Sequence, residues 1–155
     1  MLSRVFTASL TGIDAELVAV ETDICRGLPA INTVGLPSAI IREAKERIRS
    51  ALLHSGFEFP MKRVVINLSP ASERKEGSHF DLPMAVGILI SCEAVAADDA
   101  AMTAFIGELS LDGTLVPVSG VLPLAIGLQA AGVRRIVGPC ENGAEAAVVK
   151  DIAVC

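Results

Sequence analysis

The stretch GLPSAIIREAKERIRSALLHSG, residues 35–56, carries the clearest secondary-structure signal in this sequence of 155 residues. Its apolar residues recur every three or four positions, as they do on one face of an α-helix: Ile41, Ala44, Ile48, Ala51 and Leu52. The turn-forming residues 35–38 precede this pattern, and Gly56 follows it at a place where helices favour glycine. We therefore predict an amphipathic helix that opens after residue 38 and ends at Ser55.

Apolar segments on both sides of this helix predict strands and further helices. The predicted strands cover residues 5–10, 16–24, 31–34, 64–68, 135–138 and 152–154. Residues 104–111 and 114–118 flank Asp112-Gly113, which is a strong signal for a hairpin. Further helices are predicted at about 80–92, 122–131 and 141–149. The pattern indicates a single α/β domain over residues 1–155 that is cut from a longer polypeptide.

The composition excludes several classes of protein. Hydrophobic residues make up 52% of the chain and charged residues 20%, which is too apolar for a disordered protein. With no Trp, no Tyr and five Phe, an aromatic platform for stacking bases is nearly excluded. The longest strongly apolar run, residues 82–92, is too short to span a bilayer, and the N-terminus lacks a secretory pattern. We expect a reduced cytoplasmic protein with no membrane segment, in which cysteines such as Cys92 fill the core.

The common nucleotide and metal motifs are absent. No Gly is followed by Lys, so a Walker A loop is impossible, and neither G-x-G-x-x-G nor H-E-x-x-H occurs. Four cysteines without a C-x-x-C pair and two histidines do not complete a zinc site. We therefore expect no cofactor and no metal in these residues. Ser72 and Lys75 match S-x-x-K, but the companion motifs of the penicillin-binding enzymes are missing.

Charge is distributed unevenly along the chain, whose formal net charge is −5. Residues 42–75 hold eight basic and four acidic side chains, whereas the remaining residues hold five basic and fourteen acidic ones. Such a split favours either a basic patch on an acidic body or a solvated helix face with internal ion pairs. The candidate contacts to DNA or a partner are Arg42, Arg49, Lys62 and Arg63.

A second candidate is the loop between the strand at 64–68 and the next helix. It places charged groups, a flexible glycine and an imidazole close together: Lys75, Glu76, Gly77, Ser78, His79 and Asp81. A structural role accounts for two of them, because Ser78 fits a helix N-cap with Asp81 as the acid of a capping box. Lys75 to Gly77 and His79 remain as a candidate functional loop, whereas residues 72–75, if not catalytic, are expected to be part of a solvated polar loop.

These residues resemble a known family. Seven segments, in order along the chain, are similar to the N-terminal domain of the magnesium-chelatase-like AAA+ ATPases, the YifB/ComM family. They are Gly35 to Pro37, residues 41–52, Ser55 to Pro60, Asn67 to Ala71, Lys75 to Pro83, Gly107 to Gly113 and Val118 to Pro123. The resemblance implies a fold like the Lon proteolytic domain, within the ribosomal-protein-like α/β superfamily, with a mixed sheet and about four helices. It also implies that an AAA+ module using ATP and Mg²⁺ follows, that the parent forms a hexameric ring, and that the ring drives DNA branch migration in natural transformation.

The same resemblance bears on catalysis. Lon-type proteases place a nucleophilic Ser after Lys-Asp-Gly-Pro and a Lys after Gly-Gly-Leu. The resemblance aligns the first sequence with Lys75-Glu76-Gly77-Ser78 and the second with Ser119-Gly120-Val121, so that the dyad positions hold His79 and Leu122. Because a Ser–Lys dyad needs a hydroxyl and a basic amine, the resemblance implies a scaffold without catalytic residues.

Three functions are therefore open at this point. The leading one is a non-catalytic, Lon-like accessory domain of an AAA+ ATPase that assembles into a ring and contacts DNA or a partner. A second is a residual peptidase that uses Ser78 or Ser72 with Lys75. A third is a regulatory domain that binds a small ligand around His79.

Overall fold

The computed structural model describes residues 1–97 and 102–155, and the predicted helix within residues 35–56 is present as α1. It runs over Ala39–His54, and the Ser38 hydroxyl accepts a hydrogen bond from the Ile41 backbone N–H at 3.4 Å, so Ser38 is its N-cap. The other helices are α2 (Asp81–Ser91), α3 (Val121–Ala130) and α4 (Gly143–Ala146), with 3₁₀ turns at Ser78–Phe80 and Cys140–Asn142.

Seven strands form one mixed sheet, and two more form a separate hairpin. In chain order the strands are β1 (Leu2–Thr11), β2 (Asp14–Cys25), β3 (Ala30–Val34), β4 (Arg63–Ser69), β5 (Thr103–Phe105), β6 (Glu108–Leu109), β7 (Leu115–Val116), β8 (Arg135–Val137) and β9 (Ala153–Val154). The sheet order is β3-β4-β2-β1-β5-β8-β9. Strand β2 is antiparallel to both of its neighbours, and the other pairs are parallel.

The helices cover the two faces of this sheet. Alternate residues of β1 and β2 point to opposite faces, so Val5 and Val20 lie with α1 and α2, whereas Ala8 and Leu17 lie with α3. The structure therefore confirms the predicted α/β architecture with a mixed sheet and four helices.

The predicted hairpin is shorter than the sequence suggested. Residues 104–111 do not form one strand, because the chain leaves the main sheet after Phe105. The Gly107 N–H donates to the His79 carbonyl at 3.1 Å, and the Gly107 carbonyl accepts from the Leu82 N–H at 2.9 Å. These bonds to the 3₁₀ turn and α2 redirect the chain, so that only β6 and β7 pair around Asp112-Gly113.

Two smaller predictions were also wrong. The helix expected at residues 141–149 is reduced to the single turn of α4 after a 3₁₀ turn. Cys92 is exposed rather than part of the core, because α2 ends at Ser91.

Candidate functional site

Lys75, like Asp81, is a charged residue of the candidate loop with no exposed surface. Its ammonium group donates to the Gly35 carbonyl at 2.9 Å and to the Pro70 carbonyl. Its backbone N–H donates to the Leu36 carbonyl at 3.0 Å, and its carbonyl accepts from the Ser38 N–H at 2.9 Å. Lys75 therefore fastens the loop after β4 to the connection between β3 and α1. The prediction that it lies in a solvated loop was wrong.

The environment of Lys75 differs from that of a catalytic lysine. Burial lowers the pKa of its amine, which is a condition for a general base. Within the described residues, however, its ammonium bonds only to carbonyls, and neither the Ser72 nor the Ser78 hydroxyl bonds to it. Among the described residues, the Lys75 amine therefore has no hydrogen bond to the hydroxyl of a potential nucleophile.

Gly35 shows how closely these segments approach each other. A Cβ at this position would lie 2.2 Å from the Leu68 carbonyl oxygen, and the residue has φ +98°. Only glycine fits there without displacing β4.

His79, at the position of the Lon nucleophile, is buried in the 3₁₀ turn with 6% of its surface exposed. Its Nε2–H donates to the Ala8 carbonyl at 2.7 Å, because a carbonyl oxygen only accepts. Burial lowers the pKa of this imidazole. The Nδ1 atom faces Gly77, where a Cβ would lie 2.5 Å away and where φ is +115°. His79 thus joins the 3₁₀ turn to β1 as a neutral side chain.

Asp81 forms a buried ion pair that the sequence did not reveal. Its two carboxylate oxygens accept from the Nε and Nη2 atoms of Arg47 at 2.7 and 3.0 Å, and Oδ2 also accepts from the Leu109 N–H at 3.1 Å. Burial raises the pKa of Asp81, and Arg47 opposes that shift. Asp81 therefore connects α1, α2 and the β6–β7 hairpin.

This pairing replaces the predicted capping box. The residue before the 3₁₀ turn is Gly77, and no side chain caps either that turn or α2. Arg47 lies outside the apolar stripe of α1 and is half-buried. Its pairing was not predictable from a local pattern, because Arg47 and Asp81 are separated by 34 positions in the sequence.

Leu122, at the second dyad position, lies half-buried in the first turn of α3. Its backbone N–H donates to the Glu145 carboxylate at 2.9 Å. Asn142 bonds to both the N–H and the carbonyl of Val118, each at 2.9 Å. Residues in and just before α4 therefore hold the start of α3, and an apolar side chain stands where Lon-type enzymes have their base.

The remaining loop residues face outward. Glu76 is exposed and pairs with Arg74 at 3.1 Å, and Ser78 is half-buried. Of the six candidate residues, Lys75, His79 and Asp81 thus point inward and bind neighbouring segments.

The four candidate contact residues do not form one surface. Arg42 and Arg49 are exposed on α1, with Lys45 between them on the same side. Arg63 points to the opposite face of the sheet, because its neighbour Val64 packs with α1. Lys62 lines a cavity together with Met1 and Cys92.

The described residues offer neither a cluster of metal ligands nor a membrane-spanning helix. Among residues 1–97 and 102–155, no three His, Cys, Asp or Glu side chains are grouped so that they would hold a metal ion. In the same residues, no helix has the length and hydropathy needed to cross a membrane.

Comparison with known proteins gives a consistent result. The family model described as subunit ChlI of Mg-chelatase matches residues 20–142. The YifB protein of Salmonella typhimurium is 40% identical over 148 residues, which are 96% of this chain and 29% of YifB. Competence protein ComM of Haemophilus influenzae is 38% identical over 150 residues, or 97% of this chain and 29% of ComM. A Lon protease of Chloroflexus aurantiacus is 26% identical over 140 residues, or 85% of this chain and 17% of that protease. The chain thus spans about three tenths of the length of YifB and ComM.

Proposed function

The chain belongs to the family of subunit ChlI of Mg-chelatase, and we propose that it is a non-catalytic, Lon-like accessory domain of a cytoplasmic AAA+ ATPase that processes DNA. Two similarities support this proposal. The similarity to YifB and ComM extends over nearly the whole chain, and the weaker similarity to Lon covers most of it. The role of the domain is to build and orient a ring rather than to carry out chemistry.

One observation carries the non-catalytic assignment. The dyad positions hold a histidine whose Nε2–H is bonded to the Ala8 carbonyl and a leucine without any basic group. The nearby Lys75 amine is occupied by the Gly35 and Pro70 carbonyls. A Ser–Lys mechanism needs a hydroxyl within hydrogen-bond reach of the amine, and this arrangement provides none.

The parent activity that we propose belongs to a module outside these residues. YifB and ComM are more than three times as long as this chain, which leaves room for a AAA+ module. ATP and Mg²⁺ would bind that module, and this domain would associate with its copies in the ring. The word competence in the name of ComM supports DNA as the substrate of the parent. Calorimetric titration of this chain with ATP and Mg²⁺ should accordingly show no binding, and micromolar affinity would contradict this assignment.

The experiment that tests the non-catalytic assignment is active-site labelling. The chain is incubated with a fluorophosphonate probe and, separately, with fluorogenic peptides, beside Ser78→Ala and Ser72→Ala variants. We expect no labelling and no hydrolysis in any of the three proteins. Labelling that disappears in one serine variant would instead establish the residual peptidase.

The small-ligand alternative has less support. His79 is 6% exposed, and one of its two ring nitrogens is already bonded to Ala8. A ligand that binds there would protect the chain from thermal unfolding, and a His79→Gln variant would lose that protection. Thermal-shift screening of a metabolite set is therefore the test that separates this function from the accessory role.

A further inference from the structure

The exposed side of α1 carries cations without acidic partners. Arg42, Lys45 and Arg49 follow each other at helical spacing, so they share one side of the helix. Among the described residues, no carboxylate lies within ion-pair distance of any of the three. Glu46 shares this side, which leaves three positive charges against one negative.

Arg49 differs from the other two because it contacts an aromatic ring. Its guanidinium carbon lies over the Phe59 ring, 5.1 Å from the ring centroid. A contact of this kind is a cation–π interaction, and a planar guanidinium also packs well on an aromatic face. Phe59 is half-buried and Arg49 is exposed, so one side of the guanidinium rests on the ring and the rest of the group faces solvent.

We propose that this side of α1 binds a nucleic-acid strand with unpaired bases, one of which stacks on the Arg49 guanidinium where Phe59 supports it. Arg42 and Lys45, which both lie towards the N-terminus of α1 from Arg49, neutralise phosphates on one side of that base. The proposal rests on the proposed function, since it names the form of DNA that this domain contacts.

The chemistry of the three side chains favours a single strand over a duplex. Phosphates attract cations in both forms, and more strongly in the duplex with its higher charge density, so Arg42 and Lys45 do not select a single strand. A guanidinium plane, in contrast, stacks on a base only where the base is unstacked from its neighbours.

The experiment measures binding of the whole 155-residue chain to three fluorescent probes of equal length by anisotropy at low salt. The probes are a thymidine strand, an abasic strand with the same phosphates, and a duplex. Arg49→Lys keeps the charge and removes the planar group, and Phe59→Leu removes the support. Arg42→Lys is the matched control, because it makes the same replacement away from the ring.

We expect Arg49→Lys and Phe59→Leu to weaken binding of the thymidine strand about fivefold, in line with the loss of one base-stacking contact. Their binding of the abasic strand and the duplex should stay within twofold of the original chain, as should every affinity of Arg42→Lys. Equal binding of abasic and thymidine strands by the original chain would overturn the inference while leaving DNA contact intact. If the chain binds none of the probes, the DNA contact in the proposed function fails as well.

Discussion

At the scale of single residues, three ionisable side chains of the 75–81 segment are buried, and each binds a different part of the fold. Lys75 binds the connection before α1, His79 binds β1, and Asp81 binds Arg47 on α1. Buried polar groups of this kind are costly unless they are paired, and here each one has its partners. The segment that the resemblance aligns with the nucleophile of Lon-type enzymes therefore serves here as a junction between elements.

The His79 pairing predicts a dependence of stability on pH. Because burial lowers the pKa of His79, the unfolded chain takes up this proton at a higher pH than the folded chain does. The contribution of His79 to stability is thus complete above about pH 6.5 and declines as the pH falls below that value. Urea unfolding at pH 7.5 and 5.5 should show this decline, and His79→Gln should reduce it. His54→Gln, which changes an exposed histidine, should retain the decline in stability. An unchanged decline in His79→Gln would show that the buried imidazole of His79 is not its cause.

The Lys75 pairing predicts a loss of stability that is independent of any catalytic role. Lys75→Met keeps the buried aliphatic stem but leaves the Gly35 and Pro70 carbonyls without their charged donor. We expect the free energy of unfolding to fall by about 2 kcal/mol, the usual cost of losing hydrogen bonds to a charged group. Chemical denaturation measures this change, with Arg74→Met as a control, since the exposed Arg74–Glu76 pair contributes little. A Lys75→Met variant as stable as the original chain would contradict the role of Lys75 as a fastening residue.

At the scale of elements, α1 organises the part of the molecule around the 75–81 segment. Hydrogen bonds join the β6–β7 hairpin to this helix at two places. The Ser50 hydroxyl donates to the Leu111 carbonyl at 2.9 Å. Asp81 accepts from both the Arg47 side chain and the Leu109 backbone N–H, and so links the helix to β6. A glycine at the hairpin turn allows this approach, because a Cβ on Gly113 would lie 2.4 Å from the Ser55 hydroxyl oxygen. The hairpin is thus fastened to the helix rather than projecting from the domain.

Two alanine substitutions test this docking. Gly113 and Gly132 both have φ +93°, but no atom lies within 4 Å of a Cβ on Gly132. Gly132→Ala should therefore lower the free energy of unfolding by about 1 kcal/mol, which is the cost of placing alanine in a left-handed backbone conformation. Gly113→Ala should cost at least about 1 kcal/mol more, because the new methyl group displaces Ser55 or the hairpin. Equal losses for the two variants in denaturant titrations would show that the hairpin does not pack on α1.

The elements themselves were largely predictable, because they depend on local patterns. The spacing of Ile41, Ala44 and Ile48 places α1 correctly, and Asp112-Gly113 marks the turn of the hairpin. The candidate loop was predictable as a location but not in its contacts. The partners of Lys75 lie up to 40 residues away and those of His79 lie 71 residues away. A local sequence pattern does not reveal contacts between residues so far apart in the chain. A charged loop is therefore predicted to be solvated even where some of its side chains are buried.

At the scale of the whole molecule, the proposed contact with DNA would bring an acidic protein to an acidic polymer. The formal charge of −5 opposes DNA binding, and only a local concentration of cations overcomes it. The structure separates the four candidate contact residues, since Arg42 and Arg49 lie on α1 whereas Arg63 points to the other face of the sheet. One copy thus offers a small contact, and a ring of copies would join many such contacts on one strand.

This arrangement predicts the salt dependence of binding. With three cations on α1 and about 0.7 released counterions per phosphate, the logarithm of the affinity for a single strand should fall with a slope of about −2 against log salt. The affinity of one copy should stay at the nonspecific level of ~10⁻⁴–10⁻⁶ M. In longer family proteins that assemble into a ring, the same contacts become effectively intramolecular, so both affinity and slope should increase.

Paired charge reversals separate the surfaces that contribute to that slope. In a longer family protein that forms the proposed ring, reversal of Arg42 and Arg49 to Glu should weaken single-strand binding and flatten the slope, because both side chains lie on the same side of α1. Reversal of Lys62 and Arg63 makes the same change in net charge, and Arg63 lies on the other face of the sheet. It should therefore alter the slope much less, which makes it the matched control. Size-exclusion chromatography checks that both variants still assemble. If the Arg42 and Arg49 reversal leaves the slope unchanged, the α1 face is only a solvated helix surface, and DNA contact must lie elsewhere in the assembled protein.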